Sequence, residues 1–262
     1  MNRGVKMATK AAISFGLVHI PISLHTATQD NDVHFNQLHK VDHQRIRYKK
    51  TCSHCGQEVT SGDIVKGFEY DKNQYVVVTD QDFENIKTEK DRSIQILHFA
   101  NLNQISPVYY DKTYHAVPDA GGDKAFELLR TAMMDEQKIA IGKTVLGTKE
   151  TLLALIPREN GMLMQKMFFA DEVKSLPQTY NKQPVNDVEL QMAKQLIASM
   201  DKPFDTSKYK DEYQERLKDM IAQKIAGKEV VSAAPEPENN IIYLMDALKA
   251  SIEQANTESR GA

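Results

Sequence analysis

The chain has 262 residues, 41% of them hydrophobic and 26% charged, with a formal net charge of -3 and two cysteines. This is ordinary globular usage, which excludes a collagen-like or wholly disordered chain, and two cysteines make no disulfide scaffold, as in a reducing compartment. No run of about 18 apolar residues occurs, and the first twenty residues are broken by Ser14, Gly16 and His19 with no small-residue cleavage site, so a soluble, cytoplasmic protein is expected, with no membrane partner.

Residues 12–21 carry Ile13, Phe15, Leu17, Val18 and Ile20 in a mostly alternating pattern and read as one strand, which Gly16 and Pro21 punctuate as at a barrel bend or strand end. Residues 64–70 and 74–79 are rich in β-branched and aromatic residues, and Asp71-Lys72-Asn73 between them predicts a hairpin. Two short strands follow at 93–99 and 108–114. A helix is expected over 123–135, after Gly121 and Gly122, because Phe126, Leu129 and Met133 recur at helical spacing. Residues 143–147, 151–156 and 161–169 return to strand character.

From Val185 the pattern becomes helical. Val188, Met192, Leu196 and Met200 line one face of a helix that Asn186 or Asp187 can cap, and Tyr213, Leu217, Met220, Ile221 and Ile225 line a second, ending near Gly227. Residues 228–240, with Pro235 and Pro237, read as a linker. Beyond it Ile241, Ile242, Leu244, Met245, Leu248 and Ile252 form a short amphipathic helix, docked or partner-binding, before a frayed tail at 257–262. The expected organisation is α+β with a mainly β core over 9–184, a helical region over 185–227, the linker, and a C-terminal helix and tail over 241–262.

No catalytic constellation stands out. Gly142-Lys143-Thr144 resembles the end of a phosphate loop, but Gln137 occupies the place of its first glycine, so ATP binding is not expected. Cys52-Ser53-His54-Cys55-Gly56 has the spacing of half a zinc ribbon. A closed site needs four ligands and there is no second Cys pair, although His34, His39, His43 and His54 lie close in sequence; His39 and His43 would share a face if that segment were helical. A plain turn carrying two thiols outweighs zinc or a redox pair, so no metal and no cofactor is expected.

Several segments in order then resemble the bacterial Ku family. Residues 13–21, Ile-Ser-Phe-Gly-Leu-Val-His-Ile-Pro, resemble its opening strand; Phe35, Leu38, His39, Asp42, Arg45, Ile46 and Tyr48 resemble the segment that follows; and residues 63–70, Asp-Ile-Val-Lys-Gly-Phe-Glu-Tyr, continue the likeness. Tyr109-Tyr110, Leu128-Leu129-Arg130, Pro203-Phe204-Asp205, Tyr209 to Leu217, and residues 244–251 extend it over most of the chain. Thr9 and Ala11 stand where the family usually has Trp and Gly, and the chain stops soon after the last helix where many relatives carry a lysine-rich tail.

The resemblance implies a Ku-type β-barrel with an inserted, ring-forming arm and a helical C-terminal region. It further implies a non-enzymatic homodimer that encircles double-stranded DNA ends in non-homologous end joining, nucleoid-associated, with the ATP-dependent DNA ligase D as partner. The charge distribution is compatible: from Met1 to Thr60 the cations Arg3, Lys6, Lys10, Lys40, Arg45, Arg47, Lys49 and Lys50 face only Asp30, Asp32, Asp42 and Glu58. The DNA-facing candidates are Lys10, Arg45, Arg47, Lys66, Lys112, Lys143 and Lys149, with Arg45, Arg47 and Lys49 alternating onto one strand face. Each also reads as an ordinary solvated cation. Ile242, Met245, Leu248 and Ile252 are the candidate partner-binding stripe. Two other classes stay open: a zinc-ribbon nucleic-acid accessory protein, and an interaction scaffold without DNA-end specificity.

Overall fold

A computed structural model describes residues 9–86, 93–177 and 181–227 and the four positions 248, 249, 251 and 252. The chain divides into two compact units, Met1–Asn31 with Asn36–Leu176, and Asp32–Phe35 with Pro177–Ala262.

The first unit is built on a closed barrel of seven strands: β1 (Thr9–Phe15), β2 (Val18–Thr26), β5 (Ile94–Ala100), β6 (Tyr110–Pro118), β7 (Ile139–Leu146), β8 (Lys149–Arg158) and β9 (Gly161–Met167), in the spatial order β1-β2-β6-β9-β8-β7-β5. All neighbours are antiparallel except the closing pair, where β1 meets β5 in parallel through Ile13 opposite Ile94 and Ser14 opposite Gln95. Beside this seam the Ser14 hydroxyl donates to Ser93 Oγ at 3.0 Å. Closure leaves the barrel no free strand edge.

Side chains alternate across the wall with the period of two that a strand imposes. Along β8, Leu153 and Leu155 join one buried cluster while Ala154 and Ile156 join another on the opposite face. The first cluster gathers Ile13, Ile20, Ile22, Leu24, Ile94, Met162 and Met164, and helix α2 (Asp123–Asp135) adds Phe126, Leu129 and Met133 to it. Helical period and strand period thus meet in one core. Gly142 lies within β7, where a Cβ would lie 2.7 Å from the Gln95 carbonyl oxygen, so the close approach of β5 requires glycine.

The single strand expected over 12–21 is two. The chain reverses at Gly16-Leu17, with Phe15 paired to Val18, because Gly16 at φ 58° adopts the left-handed conformation that a two-residue hairpin loop needs. The helix over 123–135 and the hairpin of β3 (Lys66–Asp71) and β4 (Gln74–Val78) stand where expected. Helix α1 (Asp80–Ile86) follows β4, and Thr79 caps it through Asp82.

In the second unit, Asn186 caps α3 (Asp187–Met200) by accepting from the Val188 amide at 2.9 Å, and Asp211 caps α4 (Glu212–Ile225) by accepting from that of Gln214 at 2.9 Å. Gly227, at φ 69°, lies just past the α4 terminus. Gln214 also accepts from the Val33 amide and donates to Asp32, both at 3.3 Å, which ties 32–35 to these helices. The expected linker, with Ile242 and Met245, lies outside the described residues; Leu248 and Ile252 are half-buried.

Candidate nucleic-acid interface

Between β2 and β5 the chain leaves the barrel. From Leu24 to Ser93 none of the described residues in between is buried. This arm carries the β3-β4 hairpin, which exposes Phe68, Tyr70, Tyr75, Val76 and Val77, and two small turns closed by the isolated bridges Leu38 to Arg45 and Thr51 to Glu58. Phe68 and Val76 share one face of the hairpin and Tyr75 and Val77 the other, so apolar side chains stand in water on both sides, as exposed apolar patches do at interaction sites.

The sequence-derived cations fall into two groups. Lys66 sits at the start of β3, 2.6 Å from Asp80 and with its ammonium 5.0 Å from the Phe83 ring centroid. Lys143 on β7 lies 3.5 Å from Glu150 and over the Phe169 ring, and Lys149 on β8 is bonded to Glu172. These three are already neutralised. Lys10 on β1 and the arm residues Arg45 and Arg47 are exposed and have no ion pair among the described residues, and Lys112 on β6, half-buried, packs over Tyr114.

The expected strand face of Arg45, Arg47 and Lys49 does not form. Arg45 makes one isolated bridge, residues 46–50 are not strand, and Lys49 is paired to Glu58 at 2.7 Å. Locally, the Ile46 amide donates to the Gln37 carbonyl and the Lys50 carbonyl accepts from the Val59 amide, each closing a turn and not a ladder. Three cations passed over in sequence, Lys40, Lys50 and Lys72, are exposed and without an ion pair among the described residues, so the arm's described cations free of an ion pair are Lys40, Arg45, Arg47, Lys50 and Lys72. Lys40 and Lys50 lie in the same basic stretch as the two arginines, and Lys72 lies in the turn of the hairpin.

Electrostatics elsewhere are structural. Lys149 and the Phe169 amide hold Glu172 below the usual carboxylate range, Lys66 does the same for Asp80, and Asp111 raises Lys166. In the arm, the Gln44 amide and His39 lower Asp42, while the Cys55 and His54 amides and the Cys55 thiol lower Cys52. Beside α2 a cleft of about 390 Å³ contains Arg130, which Glu127 and the Arg158 carbonyl already occupy. An apolar hollow of about 350 Å³ is lined by Ile105, Tyr109, Ile141, Leu152 and Met167. Neither presents a nucleophile with a base beside it.

Residues 14–192 match the family profile described as Ku70/Ku80 beta-barrel domain. Among curated proteins, the "Non-homologous end joining protein Ku" of Lachnoclostridium phytofermentans is 63% identical over 98% of this chain and 100% of its own length. Proteins of the same name from Heliobacterium modesticaldum and Bacillus subtilis are 42% and 38% identical, covering 98% and 96% of this chain and 94% and 83% of their own lengths.

Proposed function

The chain belongs to the Ku family, and from that premise we propose that it binds double-stranded DNA ends in non-homologous end joining, without catalysis of its own. The observation that carries the proposal is the arm: a long insertion in which none of the described residues is buried, with an exposed apolar hairpin and cations that have no ion pair among the described residues. Cations of this kind release the counterions condensed on duplex DNA when they meet phosphate, and they do so without reading bases. A factor that must accept any break needs that indifference to sequence.

The proposed assembly is a ring-shaped homodimer, in which the hairpin faces of two arms cover one another and the cations Arg45, Arg47, Lys10 and Lys112 face the duplex. Lys66, Lys143 and Lys149 are weaker candidates, since each must exchange a carboxylate for a phosphate. The further partner is the ATP-dependent DNA ligase D, recruited through the stripe of Ile242, Met245, Leu248 and Ile252, and the site of action is the cytoplasm, at the nucleoid. Among the described residues no helix is long and apolar enough to cross a membrane.

The decisive experiment compares linear duplex with covalently closed circles of the same sequence, and adds a ligation assay with the chain truncated after Gly227. Binding to linear DNA alone, together with loss of ligase stimulation on truncation, is expected. Equal binding to closed circles would remove the ring, and undiminished stimulation would remove the C-terminal stripe as ligase contact. No shift of linear duplex at all would leave an interaction scaffold.

A further inference from the structure

The antiparallel register of β2 on β6 sets His25 directly opposite His115. Their strand neighbours Leu24 and Ala116 belong to the buried core cluster, so the strand period of two turns both imidazoles to the outer face of the barrel, where both are exposed. Side chains directly opposite one another start about 4.5–5.5 Å apart at Cβ. Neither imidazole has a hydrogen bond or an ion pair among the described residues.

The same face carries Lys10. It lies opposite Ser23 across β1 and β2, and Ser23 is two residues along β2 from His25, a diagonal of about 7–8 Å that a long side chain spans. Lys10 is exposed and has no ion pair among the described residues. Three strands thus bring two histidines and a lysine together, far apart as they are in the sequence.

Other charge around the trio is sparse. From β9, Leu163 and Gln165 face His115 and Thr113, and both are neutral. Asp119, just past β6, accepts from the Ser23 hydroxyl at 2.7 Å, and its amide donates to the Pro21 carbonyl, which puts it on the side of Ser23 away from His25. Asp111 of β6 is paired with Lys166 of β9 at 2.7 Å, and Lys112 packs over Tyr114.

Histidine is the side chain whose ordinary titration falls between about pH 5 and about pH 8. Two imidazolium ions directly opposite, with an ammonium on the diagonal, repel one another. An anion seated among them reverses the balance, because opposite charge favours the protonated imidazole.

We propose that Lys10, His25 and His115 form one phosphate-binding site on the barrel wall, filled by a backbone phosphodiester of the DNA duplex while the histidines are protonated. The inference rests on the DNA-binding reading above and adds to it two residues and a proton linkage. Each imidazole takes its proton from solvent and donates an N–H to a phosphate oxygen. Since protons and DNA then favour one another's binding, affinity rises as pH falls.

The test uses the full chain and a labelled linear duplex without terminal phosphates, so that every phosphate is a backbone diester, in buffers free of phosphate. Anisotropy should show binding about fivefold or more tighter at about pH 6 than at about pH 8. Calorimetry in buffers of different ionisation enthalpy should show protons taken up on binding near neutrality. The double change His25→Gln with His115→Gln should lose both effects, whereas His98→Gln, at an exposed histidine of β5, should keep both. His25→Lys, which holds its charge at either pH, should bind more tightly than the parent at about pH 8. Parent binding of equal strength at both pH values, or a pH dependence and proton uptake that survive in the double glutamine variant, would overturn the histidine site and leave DNA binding standing. No binding at either pH would remove the DNA-binding reading and the site with it.

Discussion

Replacing Arg45 and Arg47 together with alanine tests the division of cations into available and neutralised ones. Both side chains are exposed and neither has an ion pair among the described residues, so each is free to meet a phosphate. Each lost contact should lower the slope of log affinity against log salt by about 0.9, about 1.8 for the pair. Over a fourfold rise in salt, from about 50 to about 200 mM, the affinity gap between parent and variant should therefore narrow about tenfold. Lys149→Ala is the matched control: Lys149 is bonded to Glu172, the pair presents little net charge to DNA, and the slope should barely move. The assay is fluorescence anisotropy on a labelled linear duplex across a salt series. A slope shifted as much by Lys149→Ala as by the arginine pair, or not shifted by the arginines, would refute the argument that the structure's own ion pairs decide which cations reach phosphate.

Leu153→Ala empties a fully buried position of the barrel core and should cost about 2–5 kcal/mol in denaturant unfolding; a loss well below 1 kcal/mol would mean that the site collapses freely. Phe68 and Val76 face each other across the hairpin and are both exposed, so the double change to glutamate should shift sedimentation from dimer to monomer while the fold, followed by circular dichroism, persists. Glu172 is held below the usual carboxylate range by Lys149 and the Phe169 amide, so it contributes stability that is present above the ordinary glutamate value and lost as pH falls through the lowered one. Glu172→Gln should accordingly unfold at a lower temperature than the parent near neutrality and converge with it on acidification; a difference that widened in acid would reverse the assignment.

Local patterns were legible wherever one period dominated. Phe126, Leu129 and Met133 place α2 at helical spacing and the structure puts the helix there; Asp71-Lys72-Asn73 between two β-branched runs marks the β3-β4 hairpin. The resemblance of ordered segments pointed to the family, and the barrel follows from it. Gly16 was visible as a break, but whether it bends one strand or separates two depends on which residues pair across it, and Phe15 opposite Val18 settled that in space. The parallel seam of β1 on β5 joins segments on either side of the arm and leaves no local trace. So it is with charge: Lys66, Lys143 and Lys149 look as available in sequence as Arg45 and Arg47, and only the fold brings Asp80, Glu150 and Glu172 against them. A side chain's period is set by its own backbone and can be read along the chain, whereas a partner is set by where the rest of the chain returns, and that is decided by the tertiary structure alone.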